Sequence, residues 1–184
     1  RTFERPSITL DITAPTGLEE MLVTSGARVI RTKADVRSLM AATMNPDVVF
    51  GGDTEGGFIF PSLHPGFDAM FALANLIEML RKVGGHLHDI VAELPEFHTA
   101  YEQVRCPWES KGTVMRVLTE QIGSGAVDLT DGIKTYRDGG WTLIRPDSFE
   151  PYFHVHVESD TPAGCETLMA ETVQHIETLR GPAV

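Results

Sequence analysis

Gly132-Ile133-Lys134-Thr135-Tyr136-Arg137-Asp138-Gly139-Gly140-Trp141-Thr142-Leu143-Ile144 reads as a β-hairpin, and that reading sets the fold of the second half of the chain. Two runs rich in β-branched and aromatic residues flank an Asp-Gly turn signal. Further along, Phe153–Val157 alternates apolar and polar residues, as a half-buried strand does. Thr161-Pro162 then opens a final helix, with threonine at the cap and proline at the first helical position. Cys165, Leu168, Met169, Thr172 and Ile176 give that helix one apolar stripe. Upstream of the hairpin, Ser110 can cap a helix bearing Val114, Val117, Leu118 and Ile122. The pattern predicts an α+β domain, an antiparallel sheet packed by two helices.

The first half alternates strand and helix patterns instead. Ser7–Ile12 suits a strand, and Thr16-Gly17-Leu18-Glu19 reads as a capping box for a short helix that turns Leu18, Met21 and Leu22 inward and ends at Gly26. Arg28–Arg31 is a second strand. Asp35 caps a helix with Val36, Leu39 and Met40 at i, i+3, i+4. Val48–Phe50 is a third strand, leading into Gly51-Gly52. The longest helix follows Pro65, with Phe67, Met70, Phe71, Ala74, Ile77 and Leu80 on one face and Gly84-Gly85 at its end. Strands alternating with helices predict an α/β domain with a mixed, mostly parallel sheet and flanking helices. The change of pattern at Leu94–Glu96 divides the chain into residues 1–95 and 96–184, with the two joined near Leu94–Tyr101.

Bulk composition narrows the function classes. The chain has 184 residues, 42% of them hydrophobic, and a formal net charge of −11 without any lysine–arginine block, which argues against nucleic acid as a partner. A small anion can still be opposed by one local arginine. The longest apolar stretch, Phe67 to Leu80, is interrupted by Asp68, Asn75 and Glu78, so neither a spanning helix nor a membrane partner is expected. Cys106 and Cys165 are far apart and outside any CxxC spacing, which suits a reducing cytoplasm better than a disulfide framework or a zinc site. Beginning at Arg1 rather than methionine, the sequence reads as a piece of a longer protein.

Three segments, in order, resemble the last two domains of phosphohexomutases, the phosphoglucomutase/phosphomannomutase family. Gly51-Gly52-Asp53-Thr54-Glu55-Gly56-Gly57-Phe58-Ile59-Phe60 is similar to the third-domain sugar loop, usually G-E-x-S-G-H. Asp131-Gly132-Ile133-Lys134 and Gly140–Pro151 resemble the fourth domain with its phosphate loop, R-P-S-G-T-E-P. Arg105-Cys106-Pro107-Trp108-Glu109-Ser110-Lys111-Gly112-Thr113-Val114-Met115-Arg116 is similar to the mutase-like C-terminal region of mannose-1-phosphate guanylyltransferase fusions.

The resemblance implies a sugar-binding loop at Asp53, Glu55 and Gly56 and a phosphate-binding loop at Arg145, Asp147, Ser148 and Glu150, both degenerate. In the sugar loop glutamate becomes Asp53, serine becomes Glu55 and histidine becomes Gly57, while a lysine that often follows the first strand is Thr13. In the phosphate loop Arg145, Pro146, Glu150 and Pro151 are kept, but Asp147 and Phe149 replace the hydroxyl residues and Ser148 replaces the glycine. An oxyanion cradle works through convergent donors, and Asp147 adds charge of the wrong sign. The chain has neither the phosphoserine loop nor the aspartate-rich Mg²⁺ loop of the family, so no catalytic or metal residue is assigned; Mg²⁺ is expected in missing N-terminal domains if the parent is active. His154, His156 and Glu158 share one strand face, a spacing compatible with a metal, yet the resembling strand uses none. His86 and His88 read as solvated residues near a helix start.

Two functions follow. One is the C-terminal sugar-phosphate-binding half of a phosphomannomutase or phosphoglucomutase, inactive alone, whose partners are a weakly held or lost hexose phosphate and the missing domains. The other is a non-catalytic scaffold, oligomerisation or regulatory module of a guanylyltransferase fusion, a homo-oligomer being compatible with either.

Overall fold

The computed structural model describes residues 5–122, 126–137 and 139–181. It separates into two compact units, the first ending at Glu96 and the second beginning at Phe97.

In the first unit β1 (Ser7–Asp11), β2 (Arg28–Thr32), β3 (Val48–Gly52) and β4 (Phe58–Ile59) form one sheet in the order β2-β1-β3-β4. The first three strands run parallel and β4 runs antiparallel to β3, giving the mixed sheet expected. Helices α1 (Thr16–Thr24) and α2 (Val36–Thr43) make the crossovers. Asp35 accepts from the Ser38 amide at 2.8 Å as the cap of α2, and Gly26 takes a left-handed φ of 89° just past α1. Leu10, Ile12, Ala14, Ala27, Leu39, Val48 and Ile59 are buried.

Several local expectations do not hold. The cap residue of α1 is Pro15, so Thr16 is already the first helical residue rather than the cap. Glu19 instead pairs with Arg31 at 2.8 Å. Leu18, Met21 and Leu22 are half-buried, and Val36 and Met40 face solvent while Leu39 is buried. Helix α3 (Ala69–Val83) ends at Gly84 as expected and is capped by Asp68, but it buries no residue, and Met70 and Ile77 are exposed. Its support within this unit is the two-residue edge strand β4, with Phe71 meeting Phe60 edge-on at 5.2 Å. Helix α4 (Leu87–Ala92) follows, with His86 and His88 exposed.

The second unit is a five-stranded antiparallel sheet in the order β5-β9-β8-β7-β6, packed by α5 (Trp108–Glu120) and α6 (Pro162–Arg180). Its strands are β5 (His98–Arg105), β6 (Val127–Asp128), β7 (Ile133–Arg137), β8 (Gly140–Pro146) and β9 (Tyr152–Ser159). The β7–β8 hairpin pairs Arg137 with Gly140; Asp138 of its turn lies outside the described residues. Strand β5 already occupies 98–101, the end of the expected junction. Val104, Val114, Leu118, Ile133, Ile144, Phe153, Val155, Val157, Cys165, Met169 and Ile176 are among the core residues. Ser110 does not cap α5, which begins at Trp108 after Pro107; its hydroxyl reaches the Arg180 carbonyl at 3.4 Å. Thr161 caps α6 as expected, and at 19 residues α6, not the 15-residue α3, is the longest helix described. Cys106 and Cys165 are buried free thiols, and no described helix is long and apolar enough to cross a membrane.

Candidate functional site

In an open parallel sheet the loops beyond the carboxyl ends of adjacent strands lie side by side, and ligands bind there. β1 and β3 are such neighbours, so the segment after Asp11 meets the segment after Gly52. Thr13 Oγ1 lies 2.8 Å from Thr54 Oγ1 and donates to Asp11 Oδ1 at 2.5 Å. Asp53 Oδ1 accepts from the amides of Glu55 at 3.0 Å and Gly57 at 2.6 Å, so this carboxylate braces its own loop. Gly56 turns the loop with φ 91°, Glu55 projects into solvent, and Gly57 packs beneath the Phe67 ring. The loop thus brings together Asp53, Glu55 and Gly56 as the sequence suggests, with Asp53 already half-committed. Thr54 and Arg31 were not legible as participants. Arg31 donates to the carbonyls of Asp11 and Ala14 at 2.9 and 2.7 Å, fixing the path of the chain beyond β1.

In the second unit the corresponding feature is the turn from β8 to β9. Arg145, next to last in β8, lies directly opposite His154 of β9, and residues opposite one another in an antiparallel pair share a face. Asp147 Oδ1 accepts from the amides of Phe149 and Glu150, each at 2.7 Å, and Asp147 Oδ2 lies 2.8 Å from His154 Nε2. His154 Nδ1 is 2.9 Å from the Tyr101 hydroxyl. Nε2–H donating to Asp147 and Nδ1 accepting from the Tyr101 hydroxyl satisfies both contacts. The amide of Phe149 first, helped by His154 and the Glu150 amide against the opposing effect of burial, lowers the Asp147 pKa to about 2. Ser148 and Glu150 are exposed. Lys111 supports the turn from α5, donating to the Asp147 carbonyl at 2.7 Å and to the Glu150 carbonyl.

The same sheet face carries further charge. Arg145 Nε makes no hydrogen bond and lies 3.5 Å from Asp131 Oδ2, so part of its field is already answered. His156, two residues along from His154, is pushed down to about 4 by burial first and then by Arg145, His154 and Lys134. Lys134 is buried over the Trp141 ring at 3.6 Å. Among the described residues no group of three or more metal-ligating side chains converges. Lys111, His154 and Tyr101 are the contributors that sequence reading did not place at this turn. Lys111 lay in the quoted Arg105–Arg116 run without a role.

Comparison with known proteins places the fold. The sequence model "Phosphoglucomutase/phosphomannomutase, alpha/beta/alpha domain III" matches residues 4–97. A probable phosphoglucosamine mutase of Methanopyrus kandleri is 30% identical over 168 residues, 90% of this chain and 37% of that protein. A phosphoglucomutase/phosphomannomutase of Thermococcus kodakarensis is 30% identical over 144 residues, 77% of this chain and 31% of that one. Among solved structures, a phosphoglucomutase/phosphomannomutase family protein of Burkholderia thailandensis superimposes with a TM-score of 0.81 at 17% identity, over 97% of this chain and 39% of its own. The Aspergillus fumigatus N-acetylphosphoglucosamine mutase, solved with GlcNAc-6P and magnesium, gives 0.68 at 12% identity, with the same shares. The chain therefore spans less than two fifths of these relatives' length.

Proposed function

This chain belongs to the phosphoglucomutase/phosphomannomutase family, and we propose that it is the sugar- and phosphate-facing half of a phosphohexomutase-type protein of cytoplasmic hexose-phosphate and nucleotide-sugar metabolism. The first unit is the third domain of that architecture, and we assign the second unit to the fourth. The observation that carries the reading is the turn from Arg145 to Pro151, which holds an arginine and two convergent backbone amides. A guanidinium fork and convergent N–H donors are each suited to a phosphate. The Asp53 loop would meet sugar hydroxyls through the oxygen that its own amides leave over.

The chain contains no phosphorylatable serine loop and no aspartate-rich metal loop, so the phosphoryl chemistry, with its Mg²⁺, would lie in polypeptide outside it. Phosphoryl transfer needs those positioned charges as well as a nucleophile. A coupled assay with glucose 1-phosphate and mannose 1-phosphate, Mg²⁺ and a bisphosphorylated sugar is expected to show no turnover by this chain. Turnover above a denatured control would overturn the assignment of chemistry elsewhere.

A second reading makes the chain a non-catalytic module of a mannose-1-phosphate guanylyltransferase fusion. The Arg105–Arg116 run favours it, as does the replacement of hydroxyl donors by Asp147 and Phe149. The polypeptide preceding this chain decides between them: a serine loop and metal loop, or a nucleotidyltransferase motif.

A further inference from the structure

Backbone amides that aim successively at one point form a concavity for anions. At the β8–β9 turn the amides of Phe149 and Glu150 aim at a single atom, Asp147 Oδ1, at 2.7 Å each. His154 Nε2 completes the set from the neighbouring strand, 2.8 Å from Asp147 Oδ2. Lys111 braces the turn from behind through the carbonyls of residues 147 and 150, which flank the two amides. Arg145 stands across the strand pair from His154. Two amides and one ring N–H thus converge as the donors of an oxyanion site do, and an anion is already among them.

We propose that the Asp147 carboxylate is an internal occupant of this cradle, taking the position of an external oxyanion and closing the turn to phosphate. The proposal deepens the reading of the turn given above and rests on it for the class of ligand excluded. Occupancy, not the mere presence of negative charge, is the cause. Each oxygen of the carboxylate uses donors that a phosphate oxygen would need, and the polar side chain supplies them without loss of translational freedom. The Asp147 side chain is 15% exposed, so an incoming phosphate would have to rotate it out of the turn rather than bind beside it.

Removing the occupant while keeping the turn tests this. Inorganic phosphate is titrated into the whole chain, and the Phe149 and Glu150 amides are followed by NMR for the wild type, Asp147→Ser and Asp147→Asn. Asp147→Ser is expected to tighten phosphate binding about tenfold or more, with the largest shifts at those two amides. Asp147→Asn removes the charge but leaves an acceptor oxygen in the cradle, and is expected to stay within about twofold of the wild type. Saturation of the wild type at micromolar phosphate through these amides would overturn the proposal, as would equal binding by wild type and Asp147→Ser. A gain in Asp147→Asn matching that of Asp147→Ser would show charge, not occupancy, to be the barrier. Asp147→Gly empties the cradle in the same way and carries the test, with the same expected gain, if the serine variant fails to fold. None of these failures touches the family assignment, which rests on the sequence match, or the proposed phosphate-facing role, which is tested by hexose-phosphate binding at Arg145.

Discussion

Lys111 of α5 donates to the carbonyl of Asp147 at 2.7 Å, although the two residues are 36 apart in sequence. Lys111 as a residue is 7% exposed, and burial lowers its pKa against the upward pull of Asp147, Cys106 and Glu150. A buried cation without acceptors is costly, so these carbonyls and the Trp108 ring at 4.0 Å are what make the position tolerable.

Lys111→Met should therefore loosen the turn while sparing the core. Hydrogen bonds to a charged group contribute about 1.5–3 kcal/mol each, and methionine recovers part of that through its apolar stem. A loss of about 1–3 kcal/mol in urea unfolding is expected, with faster hydrogen exchange at the amides of Phe149 and Glu150. Unchanged exchange there would mean that the turn holds without its lysine.

His156 makes stability depend on pH. Its folded pKa is near 4, below the ordinary 6.5, because burial disfavours the charged ring and Arg145, His154 and Lys134 repel it. The unfolded chain binds the proton first as pH falls, so the contribution is complete above about pH 6.5, declines below it, and is gone near pH 4. The full span is worth about 3–4 kcal/mol. His156→Phe should flatten the urea-stability profile between those pH values, keeping a ring against Tyr101, which lies 4.8 Å away. A variant with the wild-type slope would assign the pH dependence to other groups.

Putting back the family's histidine at the sugar loop should not rebuild it. A Cβ at Gly57 would come within 2.6 Å of Asp53 Oδ2 and 2.7 Å of the Phe67 ring. Gly57→His is expected to destabilise the chain by about 1–3 kcal/mol through overpacking, with no gain in sugar affinity. Tighter hexose binding by the variant would show that Phe67 moves aside.

The parts of the fold that were legible are those buried on one face. The hairpin, β9 and α6 carry their apolar residues at strand or helix period because the core demands it, and Cys165, Met169 and Ile176 are buried as the stripe predicts. Strand β5 was not legible. It pairs with β9 alone at the sheet edge, and of His98-Thr99-Ala100-Tyr101-Glu102-Gln103-Val104-Arg105 only Val104 is fully buried. Helix α3 shows the reverse, an apolar face that its own unit does not cover. At the site, Arg145 and Asp147 were found through a motif, whereas Lys111, His154 and Tyr101 reach the turn by tertiary pairing that no local pattern records.

The most direct test of the central claim is calorimetric titration of the chain with mannose 1-phosphate and glucose 1-phosphate, wild type beside Arg145→Ala. Two charge-assisted hydrogen bonds lost with the loop hydroxyls correspond to a weakening of about a hundredfold or more. The account predicts binding only at about millimolar concentration, weakened further in Arg145→Ala. Micromolar affinity unaffected by Arg145→Ala would contradict it, by placing the ligand away from the β8–β9 turn.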